Sequence, residues 1–302
     1  MKKLFISILL IISTLSISAQ DSIVDEAKVM RNVGIALGCE AGLYAATMTG
    51  LYFAWYSGSK PSRFHFINDN AGWLQMDKGG HCLAAYSISK IGYEVMRATG
   101  LDERRSIWYG GTLGIIFQTT VEIFDGFSPY WGFSWGDMLA NTVGSGLFLG
   151  QQLLWHDQRI TLKYSFHPTE FPQYNPKALG SNFAKQLIKD YNGITYWASF
   201  NIKSLFLDKE SKFPAWLNFA FGYGADGMID CFENPTEIDG VPVPYFDRKR
   251  QFYFSLDVDF TKIPTNSQFL KYTFKVLNFF KLPFPAIEYN TQGQWVWHWL
   301  YF

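Results

Sequence analysis

The hydrophobic rhythm of the chain changes about halfway along. From residue 27 to 156 the apolar positions recur in long stretches at helical spacing, divided by short clusters of Gly, Pro, Asn and Ser that read as turns. The longest stretch, 33–56, carries one charge, Glu40, and its length is enough to span a bilayer. Its small residues, Gly34, Gly38, Gly42, Ala45, Ala46 and Gly50, would allow close helix packing. A second helix is expected over about 78–99, stopped by Gly100, with Lys90, Glu94 and Arg97 on a solvated or headgroup-level face. A third is expected over about 106–124, and a fourth begins after Ser134 and runs to about Trp155. Beyond Gln158 the period becomes two. Strands are expected at 160–166, 194–202, 216–223 and 251–260, with short helices over 175–190 and 268–280. The fold class is therefore α+β: an N-terminal bundle of about four apolar helices over 27–156, then a strand-rich, aromatic-rich C-terminal half over 157–302.

The chain ends in an expected strand whose Trp295, Trp297, Trp299 and Tyr301 share one face. Such a face suits a membrane interface or the terminal strand of an outer-membrane barrel. The expected strands are too few and too unevenly spaced for a barrel of eight, which favours a strand packed into the second half. Residues 1–19 read as a signal peptide. Lys2 and Lys3 precede a short apolar run, and Ala19 is a small residue suited to cleavage. The implied address is the cell envelope, periplasm or outer membrane. No cysteine directly follows the apolar run, so a lipid anchor is not expected there. Cys39, Cys82 and Cys231 read as small buried hydrophobes, with one pair free to bridge in an oxidising compartment.

Composition sharpens this picture. With 26 Lys+Arg against 26 Asp+Glu, the chain lacks the basic excess that drives nucleic-acid binding. Charged residues are 17% and aromatics 19%, with 11 Trp, 17 Tyr and 28 Phe. So apolar a chain can offset its ordering entropy, which argues against disorder. A share of the aromatics, Trp55, Trp131, Trp135 and the terminal run above all, is expected at a membrane interface, making lipid the expected partner. Gly222, Gly224 and Gly227 have dinucleotide-fingerprint spacing, but no helix follows them. They read as a glycine-rich turn, and no nucleotide is expected.

The candidate chemistry lies in polar residues on apolar helices. Asp77, Lys78 and His81 open the second helix, with Asp77 and His81 one turn apart. Gln118, Glu122 and Asp125 form a stripe on the third, and Asp137, Asn141 and Gly144 one on the fourth. Burying carboxylates is costly unless they are paired or bind a metal, so the economical arrangement points the stripes at one another. His81 would then meet Asp77, Glu122 and Asp137. Each piece also has a plainer use: Asp77 as a helix cap, Ser134 and Asp137 as a capping box, Asp125-Gly126 as a turn, Asn141 as an interhelical hydrogen bond, His81 as a satisfied core residue.

The joint order of D-K-x-x-H at 77–81, E-x-x-D at 122–125 and G-F-S-W-G-D at 132–137 resembles the YfiM-like family of predicted periplasmic lipoproteins of unknown function, over about 70–155. The second half, with Tyr191-Asn192-Gly193 and the aromatic end, resembles the long Bacteroidetes version of that family. A more distant similarity is to VanZ-like membrane proteins, which pair D-K-x-x-H with a later D-x-x-x-N-x-x-G, here Asp137, Asn141 and Gly144. The resemblance implies an envelope address and no defined activity, cofactor or metal. The residues favour a non-enzymatic, membrane-associated protein whose polar cluster holds the helices in register. The alternatives are a hydrolase acting on lipid or cell wall, metal-assisted through His81 and its carboxylates, and an envelope lipid- or glycan-binding protein with VanZ-like antibiotic tolerance.

Overall fold

The structure, a computed structural model, describes residues 26–208 and 210–302. The expected signal peptide and its cleavage near Ala19 lie outside the described residues. The described residues form two compact units, one holding 26–68 together with 84–157, the other 69–83 together with 158–302.

The first unit is helical. Helix α1 (Glu26–Leu51) is followed by a π-helical turn, Tyr52–Tyr56. Helix α2 (Met76–Ala98) contributes its later turns, then come α3 (Glu103–Tyr109), α4 (Leu113–Gly126) and α5 (Trp135–Trp155). Strands β1 (Phe66–Ile67) and β2 (Phe133–Ser134) pair in parallel. The single helix expected over 106–124 is instead two, because Gly110-Gly111 falls inside it and each glycine costs a helix about 1 kcal/mol. No helix among the described residues is long and apolar enough to cross a membrane, which corrects the expectation for 33–56. Val33 and Ala36 of α1 pack on Met96 and Leu101. Tyr86 and Tyr93 of α2 pack on Phe148 of α5, and the Ser89 hydroxyl donates to Ser145 at 3.2 Å.

Cys39 is exposed, Cys82 and Cys231 are half-buried and all three are free thiols, so reading them as buried fails. Cysteine is too small and too weakly polar for sequence to set its depth. Glu40 is the other departure. Its carboxylate oxygens lie out of solvent with no hydrogen-bond partner among the described residues, and burial pushes its pKa up to about 7.

The second unit is built on a six-stranded antiparallel sheet in the order β10-β9-β8-β5-β4-β3. The strands are β3 (Ile160–Phe166), β4 (Ile194–Asn201), β5 (Leu217–Asp226), β8 (Lys249–Val258), β9 (Phe284–Asn290) and β10 (Trp295–Tyr301), with the small hairpin β6 (Glu237–Ile238) and β7 (Val241–Pro242) between β5 and β8. Short helices α6 (Pro176–Leu179), α7 (Phe183–Lys189), α8 (Ile202–Phe206) and α9 (Gln268–Leu277) connect the strands. The helix expected over 175–190 is broken at Gly180, whose φ is +100°. Strand β9 was not legible, because Pro283 and Pro285 interrupt its pattern.

The sheet rolls up. The stretch leading into β9 pairs in parallel with the free edge of β3: Tyr164 N donates to Phe279 O at 3.0 Å and Lys281 N to Tyr164 O at 2.9 Å. Tyr301 of β10 packs on Trp197 of β4 at 6.0 Å, and its hydroxyl lies 3.1 Å from that of Thr195. The room for Trp197 comes from Gly222, opposite it on β5. A Cβ there would fall 2.8 Å from the indole. The glycine-rich turn expected at 222–227 is therefore strand up to Asp226, and only Gly227, at φ +75°, turns.

The register gives this sheet an inverted polarity. Its inner face carries Lys163, Ser165, Thr195, Ser199, Asn201, Asn218, Ser255, Asp257, Glu288 and Asn290, all buried. Lys163 Nζ pairs with Asp257 Oδ2 at 2.7 Å, both side chains fully inaccessible, and the Ser199 hydroxyl donates to the same oxygen at 2.6 Å. Burial pushes Lys281 down to about 8, and its ammonium lies 4.8 Å from the centre of the Trp197 indole. The outer face carries Phe219, Phe221, Phe252, Phe254, Leu256, Ile287, Tyr289, Trp295, Trp297 and Trp299, most of them exposed. The four-aromatic face expected of the last strand splits, because a bulge between His298 and Tyr301 turns Tyr301 inward.

Two predictions follow from these buried charges. Lys163→Met strands Asp257 in the interior and lowers stability by about 3–5 kcal/mol in urea denaturation, while Lys163→Met with Asp257→Leu recovers most of the loss. A cost below about 1 kcal/mol for the single change would show the pair to be solvated. For Glu40 the folded carboxyl holds its proton up to about pH 7, whereas the unfolded group, near 4.5, loses it first. The contribution of Glu40 to stability is therefore fully present below about pH 4.5 and is lost as pH rises through about 7. Glu40→Gln removes that fall, read as the melting temperature at pH 5 and pH 8.

Candidate functional site

The sequence-predicted residues fall into two local arrangements. In the first unit, α4 and α5 meet through polar side chains. Ser134 ends β2 and caps α5, its hydroxyl accepting from Asp137 N at 3.2 Å. In a capping box the third helical residue would take the Ser134 N–H. Here Glu122, fully buried on α4, takes it instead, Oε2 accepting at 3.0 Å. One turn deeper, Gln118 Nε2 donates to Asn141 Oδ1 at 3.3 Å, both buried. The stripe spacing that pointed Glu122 toward Asp137 thus brings them together through Ser134. Asp125 lies inside α4 rather than in a turn, and accepts from the Tyr56 hydroxyl at 2.6 Å. Burial, with that carboxylate beside it, raises the Tyr56 pKa.

In the second unit, the first turns of α2 carry Asp77, Lys78 and His81. Lys78 Nζ bridges Asp69 Oδ1 at 2.7 Å and Asp77 Oδ2 at 3.1 Å. Asp77 is thus an ion-pair partner, and Asp69 is a member that spacing alone did not reveal. Gly79 and Gly80 between Lys78 and His81 have a packing reason. A Cβ at Gly79 would sit 2.5 Å from the Tyr196 ring, so the motif's glycines let the helix start press on β4. His81 is half-buried one turn beyond Asp77.

The approach to this helix is strained. Trp73, Leu74 and Gln75 all have positive φ, at 46°, 50° and 66°, each costing about 1–2 kcal/mol for a residue with a side chain. They are pinned from several sides. Trp73 N donates to Cys231 O at 2.7 Å, the Tyr223 hydroxyl donates to Leu74 O, and Arg250 donates to Gln75 Oε1 at 2.8 Å through Nη2. Strain held this firmly is characteristic of sites where backbone placement matters.

Sequence reasoning missed the polar interior of the sheet. Glu288 Oε2 lies 2.8 Å from His298 Nε2, and its Oε1 accepts from Gln251 and Asn290 at 3.0 and 3.3 Å. Their alternation with aromatics was visible, but which set faced inward was not.

Residues 66–150 match a family model described as predicted periplasmic lipoprotein (DUF2279). That stretch is similar to a family of predicted periplasmic, lipoprotein-like proteins of unknown function, which supports an address in the periplasm or cell envelope. No curated protein and no solved structure matches the chain.

Proposed function

We propose that the protein is a non-enzymatic envelope component that rests against a lipid membrane through the outer face of its rolled sheet. The observation that carries this is the inverted polarity. In water a sheet gains by turning its aromatic face inward, at about 25 cal/mol per Å² removed from solvent. This sheet buries Lys163, Asp257 and Glu288 and leaves Trp297 and Phe254 outside. Apolar outside and polar inside is the arrangement favoured where the surrounding solvent is hydrocarbon. Trp295 and Trp299, the latter 81% exposed, have the amphipathic rings that settle at headgroup level. The buried Glu122–Ser134–Asp137 contacts support the companion role of holding helices in register rather than doing chemistry.

Vesicle flotation tests this. The full chain is expected to float with phospholipid vesicles, and acyl chains brominated near the headgroup should quench its tryptophan fluorescence. Trp297→Glu with Phe254→Glu should weaken vesicle binding at least tenfold without changing the melting temperature. A protein that stays in the unbound fraction, or a soluble dimer that hides this face, overturns the reading.

A further inference from the structure

The π-helical turn at the end of α1 builds something that neither the helix register nor the sheet explains. Its defining bond runs from Ser57 N to Tyr52 O at 2.9 Å, five residues back. Such turns are rare and concentrate at functional sites. The widened turn sets Tyr52 and Tyr56 with rings nearly parallel, 20° apart, and centroids 6.4 Å from each other. Phe124 meets Tyr56 edge-on at 5.7 Å. These rings border a cavity of about 80 Å³, lined by Tyr52, Tyr56, Phe124 and Phe127 together with Ser59, Pro61, Ser128 and Pro129. Tyr52 and Phe127 are 42% and 46% exposed, so the cavity meets solvent.

Two features select the charge of an occupant. The faces of aromatic rings are electron-rich and attract cations. Tyr56 is made more so, because its hydroxyl donates to the Asp125 carboxylate at 2.6 Å and draws negative charge onto the ring. Asp125 sets its carboxylate directly behind that wall, held by the Tyr56 hydroxyl. The lining is mostly apolar, with two serine hydroxyls, which offers little to the ring of hydroxyls on a sugar. We propose that this cavity binds a small organic ammonium group, with Tyr52, Tyr56 and Phe124 as the aromatic walls and Asp125 as the remote counter-charge. The same chemistry is offered by a quaternary or primary ammonium on a lipid headgroup and by a free alkylammonium solute.

The experiment titrates tetramethylammonium, choline and ethanolamine into the full chain and follows tyrosine and phenylalanine ring signals by NMR, with glucose as the neutral control. Saturable shifts from an ammonium probe and none from glucose are expected. Tyr56→Leu should weaken binding at least tenfold. Tyr56→Phe keeps the wall but loses the link to Asp125 and should weaken it by about threefold to tenfold, guarding against a variant that fails to fold. Vesicles of phosphatidylcholine and of phosphatidylglycerol separate the sources. Competition of soluble choline by the first but not the second assigns the site to a lipid headgroup, and competition by neither assigns it to a free solute. Absence of saturable binding by every ammonium, or equal binding of glucose, overturns the proposal. The readout needs no membrane, so it stands or falls apart from the lipid-facing sheet.

Discussion

The ion pair between Lys163 and Asp257 is the interaction on which the second unit depends. Two charges removed from water are tolerated when they are paired and hydrogen-bonded. Lys163 also donates to Val258 O at 2.7 Å, and Asp257 Oδ2 also accepts from Ser199, while Asp257 Oδ1 has no hydrogen-bond partner among the described residues. Ser199 in turn accepts from Asn218, which accepts from Asn201. The chain of donors and acceptors runs across β3, β4, β5 and β8, so a shift of one residue in any strand would break it. This network fixes the register, and the register decides which residues face outward.

The outer face is the consequence. With the polar set committed to the inside beside Trp197, Tyr253 and Tyr301, period-two alternation leaves most of the sheet's other aromatics on the exterior. Aromatic–aromatic contacts such as Phe200 on Phe219 at 5.2 Å and Tyr289 on Trp295 at 4.9 Å organise that surface without hiding it. Contiguous exposed apolar faces of this kind mark surfaces that meet another apolar phase or partner. The helical unit follows a related economy on a smaller scale. Glu122 is buried because the Ser134 N–H needs an acceptor, and the same bond ties β2 to α4 at the start of α5.

How much of the candidate site could be read from the chain differs residue by residue. The Ser134 cap of α5 was legible because capping is local, involving positions three apart. The pairing of Lys78 with Asp69 was not, because eight residues and a left-handed turn separate them. The turn that Asp125-Gly126 offered as the plainer alternative is not where Asp125 sits. The Asp-Gly pair carries that signal in isolation, yet α4 runs on through it while Tyr56, far away in sequence, supplies the partner. The Tyr52–Tyr56 cavity gave no signal at all, since a π-turn has no marker beyond aromatic spacing.

Sequence alone determined the division into a helical and a strand-rich half, most element positions, and the presence of more aromatic surface than a core requires. Those properties follow from periodicity and composition, which act over a few residues at a time. Only the tertiary structure decided that the polar side of each strand faces inward, that Tyr301 leaves its aromatic neighbours through a bulge, and that Glu122 rather than Asp137 accepts the Ser134 N–H. An alternating strand is equally consistent with either face being buried. The choice rests on whether partners for Lys163, Asp257 and Glu288 exist on neighbouring strands, and that is set by pairing over long sequence separations.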